Sequence, residues 1–102
     1  MTAAEKRQEV LKETRRIAVE TLKPYPAKIY LFGSWAKGTS SEYSDIDLAV
    51  DSKMPLPVEA LSTLRERLED SRIPWRVEVV DLRTASSFFR ERVLREGIPW
   101  ND

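Results

Sequence analysis

The chain has 102 residues, of which 17 are Lys or Arg and 17 are Asp or Glu, and it contains neither Cys nor His. This length supports one domain with a single hydrophobic core. The composition excludes disulfides, thiolate metal sites and imidazole catalysis, and the balanced charge argues against non-specific nucleic-acid binding, which requires a basic surface.

The N-terminal segment is predicted to be one long amphipathic helix. Thr2 and Glu5 have the spacing of a capping box, and Pro24 stops the helix near Leu22. Small or apolar residues recur between them at helical spacing, at Val10, Thr14, Ile17, Ala18 and Thr21. The charges in this segment fit neither a signal peptide nor a membrane span. We therefore expect a cytoplasmic protein with no membrane attachment.

The next segment predicts a strand that runs into an anion-binding turn. Residues 29–32 are continuously apolar, and Gly33 and Ser34 follow directly. Gly33 permits a tight turn, while Ser34 offers an amide and a hydroxyl where a single helical turn to Lys37 is expected to begin. A helix start of this kind is a natural site for a phosphate.

The following strand, residues 45–50, begins with two acids. Asp45 and Asp47 point to the same face because side chains alternate along a strand. Two neighbouring carboxylates repel each other unless a cation lies between them, so this acid pair indicates a divalent metal site. A phosphate-binding turn beside a metal-binding acid pair predicts nucleotide chemistry.

Two helices and a third strand complete the predicted order, α-β-(turn)-β-α-β-α, in one domain of the α/β (α+β) class, residues 1–102. One helix starts at Pro57, the strand covers residues 75–82, and the last helix starts near Thr84 and stops before Pro99. The side chains expected to point inward are Val58, Leu61, Leu64 and Leu68, and then Phe88, Phe89, Val93 and Leu94. Core or rim packing is expected for most of the tryptophans, and solvated helix faces for the arginines of residues 6–16 and 90–95.

The turn and the acid pair together carry a family resemblance. They resemble the motif of the DNA polymerase β-like nucleotidyltransferase superfamily, in particular its minimal nucleotidyltransferase (MNT) branch, through Gly33-Ser34, Ala36-Lys37-Gly38 and Ser44-Asp45-Ile46-Asp47-Leu48. The resemblance covers nearly the whole chain. An isolated Asp-x-Asp is common in loops, whereas its spacing from a glycine–serine turn is specific.

This chemistry also constrains the topology. A phosphate at the end of strand one and a metal at the start of strand two can meet only if these strands are adjacent and antiparallel. The helix between strands two and three has the length of a parallel crossover. We therefore expect a nucleotidyltransferase-like fold with a small mixed three-stranded sheet, whose helices lie mainly on one face and leave the acidic face open.

The resemblance implies a third carboxylate from the next strand. Glu78 is near the start of that strand, at the same end of the sheet as Asp45 and Asp47. Asp81 faces the other way and lies roughly 10 Å further on, at about 3.3 Å per residue. We therefore choose Glu78, although relatives typically have Asp here. Asp45 and Asp47 would bridge two Mg²⁺ ions, with Mn²⁺ as the other candidate, and Glu78 would hold the second ion and accept the proton of the attacking hydroxyl. The simpler interpretations are that Asp45 and Asp47 form an acid pair without a metal, and that Glu78 is an exposed strand residue paired with Lys or Arg.

The resemblance also implies a nucleotide site. Gly33 and Ser34 would hold the β- and γ-phosphates of ATP, and Lys37 would neutralise a phosphate oxygen. Ser44 is assigned to the same nucleotide site, chiefly as a hydrogen-bonding support for the loop. The simpler interpretations are that Ser34 only caps the helix and that Lys37 is only solvated.

The implied activity is transfer of AMP from ATP to a hydroxyl. The resemblance specifies a tyrosine of a HEPN-domain ribonuclease encoded nearby, with this chain as the antitoxin and another chain supplying part of the acceptor site. The alternative is a binding module that neutralises its partner by complex formation alone. Small-molecule transfer of the antibiotic-modifying kind is disfavoured because no substrate domain is predicted. Base preference and oligomeric state stay open.

Overall fold

The structure is a computed structural model that describes residues 1–41 and 43–101. Its helices are Ala3–Leu22 (α1), Ser34–Lys37 (α2), Val58–Glu69 (α3) and Ser87–Glu96 (α4). Its strands are Ala27–Phe32 (β1), Ile46–Ser52 (β2), Val77–Asp81 (β3) and Ile98–Pro99 (β4). The predicted order of elements is therefore confirmed up to the last helix, after which one short strand is added.

The four strands of the described residues form one mixed sheet in the order β3-β2-β1-β4. β1 and β2 are antiparallel neighbours, while β2 and β3 are parallel, as predicted. The expected number of three strands is wrong, because Ile98 and Pro99 pair with the free edge of β1. Proline is tolerated there because an edge strand need not donate a hydrogen bond on its outer side.

Helix α1 begins at the predicted capping box. The Glu5 amide donates to Thr2 Oγ1 at 3.1 Å, and the Thr2 amide donates to Glu5 Oε1 at 3.2 Å. These two bonds satisfy amides that a helix start leaves without partners. No helix in the described part of the chain is both long and apolar enough to cross a membrane.

The main core lies between one face of the sheet and the helices α1 and α3. Ile29, Leu48 and Leu64 are fully buried in it, and each such side chain contributes about 1.5–3 kcal/mol of burial free energy. Val58 was expected in the α3 stripe but is 84% exposed. At 100° per residue it lies about 100° from the centre of the buried stripe of Ala60, Leu61, Leu64 and Leu68.

Helix α4 packs on the other face of the sheet, the face that carries Asp47. Phe89 meets Phe32 edge-to-face with ring centroids 5.5 Å apart, and Val93 is buried with Ala49 in a second apolar cluster. This face is therefore partly covered, although it was expected to be open. Two side chains predicted to point inward, Phe88 and Leu94, are exposed, because they lie about 140° and 100° around the helix from Val93.

Candidate active site

A glycine turn brings the end of β1 against the start of β2. Gly33 has φ +76° and ψ −156°, a region that is essentially restricted to glycine. A Cβ atom at this position would overlap the carboxylate of Asp47. The backbone of the turn therefore contacts an acidic side chain directly, and only glycine leaves room for both.

Ser34 is the first residue of the short helix α2, and Gly33 is its N-cap. The Gly33 carbonyl accepts hydrogen bonds from the amides of Ala36 and Lys37, at 3.1 and 3.2 Å. The amides of Ser34 and Trp35, at the start of this helix, have no acceptor within it, and they directly follow the glycine whose backbone contacts Asp47. Because Gly33 is the N-cap, the simpler interpretation that Ser34 only caps the helix is wrong. The role of Ser34 in phosphate binding stays a prediction.

The acids lie at the starts of two neighbouring parallel strands, β2 and β3. Asp47 is in register with Glu78, so their side chains share a face, and Asp45 precedes Asp47 by two residues. Asp45 and Asp47 are half-buried, whereas Glu78 is exposed. Burial, and then the charges of Glu78 and Asp45, raise the pKa of Asp47 above its ordinary value. Asp47 thus lies within the electrostatic influence of two other carboxylates.

Asp81, the other candidate for the third carboxylate, has a local role. It is in register with Val50, whose side chain points into the main core, and not with Asp47. Its Oδ1 accepts a hydrogen bond from the Arg83 amide at 3.0 Å, in the turn before α4. The structure thus places Glu78, and not Asp81, beside the acid pair.

The acidic site is compatible with a magnesium ion. Within residues 1–41 and 43–101, no three Asp, Glu, His or Cys side chains are gathered into a group that could hold a metal. Mg²⁺ is usually held by one or two carboxylates together with phosphate oxygens and water, and not by a cage of protein ligands. The carboxylate oxygens of Asp45 and Asp47, next to a turn suited to phosphate, match that pattern. The metal role of Asp45, Asp47 and Glu78 stays a prediction.

A pocket of about 170 Å³ adjoins the turn, between α2 and α4. Lys37 and Arg92 supply its positive charge, and Phe32 and Phe89 supply apolar surface. A hydrogen bond from Arg92, with help from the charge of Lys37, holds the pKa of Glu96 below its ordinary value. Lys37 therefore lies near an anionic group at the pocket. Arg92 is exposed, as expected for a solvated helix face, and its i, i+4 spacing from Glu96 was the sequence signal for their hydrogen bond.

The loop between the turn and the acid pair is held by hydrogen bonds. The Ser44 hydroxyl accepts from the Ser41 amide at 2.9 Å, and the Ser44 carbonyl accepts from the indole nitrogen of Trp35 at 3.1 Å. Ser44 thus supports the loop, in the way expected from the sequence. Arg7 bonds the loop at Ser40, a contact that sequence reasoning missed because α1 is distant along the chain.

Comparison with known families gives one match over most of the chain. The model of the family described as Polymerase beta, Nucleotidyltransferase matches residues 7–99. Protein adenylyltransferase MntA of Shewanella oneidensis is 41% identical over 69 residues, which are 68% of this chain and 49% of that protein. The chain spans about half the length of the curated relatives it matches.

Solved structures with the same fold include toxin–antitoxin complexes. A chain of a toxin–antitoxin complex with AMP-PNP superposes with a TM-score of 0.68 and 32% identity, covering 85% of this chain and 72% of that one. A chain from the complex of the tri-AMPylated Shewanella oneidensis HEPN toxin with its MNT antitoxin gives 0.62 and 28% identity, covering 88% and 71%.

Proposed function

The chain belongs to the polymerase beta nucleotidyltransferase family, and on that premise we propose that it transfers AMP from ATP to a hydroxyl group of a partner protein. The observation that carries this proposal is the contact between the Gly33 turn and the Asp47 carboxylate. It puts a turn suited to phosphate next to acids suited to a cation. The match over residues 7–99 also supports treating residues 1–102 as one nucleotidyltransferase domain.

The turn binds the phosphates of ATP. The amides at the start of α2 and the Ser34 hydroxyl donate hydrogen bonds to the β- and γ-phosphates, and the close approach of the backbone requires glycine at position 33. Lys37 supplies positive charge where the triphosphate leaves the turn, next to the pocket that it lines. The phosphoanhydride bond that is broken, between the α- and β-phosphates, then lies over the acids.

The carboxylates prepare the site for nucleophilic attack. Asp45 and Asp47 would hold Mg²⁺, and Glu78 would add its negative charge beside them. When bound, Mg²⁺ neutralises the triphosphate and lowers the pKa of the attacking hydroxyl. The hydroxyl oxygen forms a bond to the α-phosphorus, the bond from that phosphorus to the bridging oxygen breaks, and pyrophosphate leaves with the electron pair. The exposed carboxylate of Glu78 accepts the hydroxyl proton.

The acceptor is proposed to be a HEPN-domain protein, with this chain as the antitoxin. Two findings support this assignment: a relative is named as a protein adenylyltransferase, and a structural neighbour was solved in complex with an AMPylated HEPN toxin. The acids lie at the starts of strands β2 and β3, where Glu78 is exposed. A tyrosine presented by a second protein can reach such a site without entering a closed pocket.

A binding module is the second candidate, and one observation favours it. A structural neighbour, the MNT antitoxin of Shewanella oneidensis, was solved in a complex with its HEPN toxin, and complex formation by itself needs no catalysis. In that case the chain neutralises its partner by forming a complex, and neither Asp45 nor Asp47 is needed for protection.

Co-expression with the HEPN-domain protein encoded nearby distinguishes the two candidates. The variant Asp45→Asn with Asp47→Asn removes two negative charges and keeps the side-chain shapes, so the fold and the complex should persist. Glu69→Gln with Asp70→Asn, at the exposed end of α3, is the matched control. Transferase activity predicts that only the first double variant loses protection of growth and leaves the partner unmodified. Full protection by that variant, with no mass added to the partner, would establish the binding module instead.

A further inference from the structure

Three side chains from separate parts of the chain meet beside the candidate active site. The guanidinium of Arg7, on α1, lies 5.0 Å from the ring centroid of Trp35 and 5.7 Å from that of Trp75. The two indole rings pack edge-to-face with centroids 5.1 Å apart. Trp35 is only 6% exposed and belongs to the main core. We call Arg7, Trp35 and Trp75 the arginine–tryptophan cluster.

Each member of the cluster is joined to a different part of the active site. Trp35 follows Ser34 in α2, and its indole nitrogen donates to the carbonyl of Ser44, the residue before Asp45. Trp75 lies two residues before β3, the strand that carries Glu78. The cluster therefore connects the phosphate-binding turn, the acid pair and the strand of the third carboxylate.

Arg7 adds a connection to the loop between the turn and the acid pair. Its guanidinium donates to the Ser40 carbonyl at 3.2 Å and also bonds the Ser40 hydroxyl. A guanidinium can stack on a ring and donate in its own plane at the same time. Apolar side chains could fill this volume, but they would not fix the loop, because they have no hydrogen-bond donors.

We propose that the arginine–tryptophan cluster is a positioning device that holds the phosphate-binding turn, the acid pair and Glu78 at a fixed separation. It rests on the transferase function proposed above. Arg7 acts through Ser40 and Trp35 acts through Ser44, while Trp75 packs on both and lies two residues before β3. Precise placement matters because a displacement of about 1 Å at a reacting centre can cost roughly a hundredfold in rate.

The test uses conservative variants that alter the polar contacts of the cluster. Trp35→Phe keeps an aromatic ring and removes the donor to Ser44, and Arg7→Lys keeps the charge and removes the planar fork. Arg16→Ala, which removes exposed ion pairs on the same helix as Arg7, is the control. For each protein we would measure kcat and KM with ATP, Mg²⁺ and the HEPN acceptor, the melting temperature, and hydrogen exchange of residues 38–47.

Positioning predicts that kcat falls about tenfold in Trp35→Phe and in Arg7→Lys, while KM for ATP changes by less than about threefold. Exchange should accelerate in residues 38–47 at temperatures far below melting, and Arg16→Ala should match the wild type. Unchanged exchange and kcat in both variants, or a kcat loss that only follows the unfolded fraction, would overturn the proposal. If the wild type transfers no AMP, the proposed function is wrong. The hydrogen-exchange measurements then test by themselves whether the cluster holds the loop.

Discussion

Replacing Gly33 with alanine tests the contact between the turn and the acid pair. The backbone at this position, with φ +76° and ψ −156°, costs a residue other than glycine about 1–3 kcal/mol. The added methyl group would also overlap the Asp47 carboxylate, so that side chain must rotate away or the turn must open. Either movement separates the acid from the position proposed for the phosphates.

The size of the effect follows from the backbone cost. In a domain of this length, each kcal/mol lowers the melting temperature by about 4–8 °C, so Gly33→Ala should melt at least several degrees below the wild type. Calorimetric titration with ATP and Mg²⁺ should show strongly weakened binding. Both measurements use purified protein and need no acceptor.

Gly38→Ala is the matched control. Gly38 also has a positive φ, +73°, but a Cβ atom there meets nothing within 4 Å. Its left-handed backbone costs about 1–2 kcal/mol, so this variant should lose comparable stability and keep its affinity for ATP. An unchanged melting temperature in Gly33→Ala, or an equal loss of ATP affinity in Gly38→Ala, would refute the reasoning.

Three further changes test separate parts of the account. Asp47→Asn should raise the free energy of unfolding near pH 7. In the wild type, the raised pKa of Asp47 stabilises the fold at pH values below the ordinary pKa of 3.8, and this stability is lost as the pH rises through the folded-state pKa. Urea titrations should show that this gain in unfolding free energy disappears near pH 3. A gain that does not depend on pH would contradict the raised pKa of Asp47 as its cause. Leu64→Ala should cost about 2–5 kcal/mol in chemical denaturation, whereas the exposed Val58→Ala, on the same helix, should cost less than about 0.5 kcal/mol. Ser34→Ala should weaken ATP binding about tenfold, as for a lost hydrogen bond to a charged group, and calorimetry that finds equal affinity would argue against the phosphate role.

The local geometry of the site could be predicted because it depends on short-range rules. Alternation along a strand separated Glu78 from Asp81, and the register pairs Glu78 with Asp47. Asp45 precedes β2, so the shared face of Asp45 and Asp47 stays a prediction. The glycine requirement at Gly33 was also visible in the sequence, as a tight turn. Its stronger cause, the nearby Asp47 carboxylate, depends on the pairing of β1 with β2.

Contacts between distant segments could not be predicted from patterns. The apolar residues of α4 suggested a wide inward stripe, but only a narrow one around Val93 reaches the sheet, so Phe88 is exposed. The pairing of Ile98 with β1 depends on where α4 ends. Arg7 resembled the solvated arginines of α1 until the fold put Trp35 and Trp75 beneath it.

The most direct test of AMP transfer is the intact mass of the acceptor. A purified HEPN-domain protein, the proposed acceptor, would be incubated with ATP, Mg²⁺ and this chain, and its mass compared with that after incubation with the Asp45→Asn, Asp47→Asn variant. The account predicts one or more added AMP groups with the wild type and none with the variant or without Mg²⁺. An acceptor that keeps its mass with the wild type, although a stable complex forms, would contradict the account.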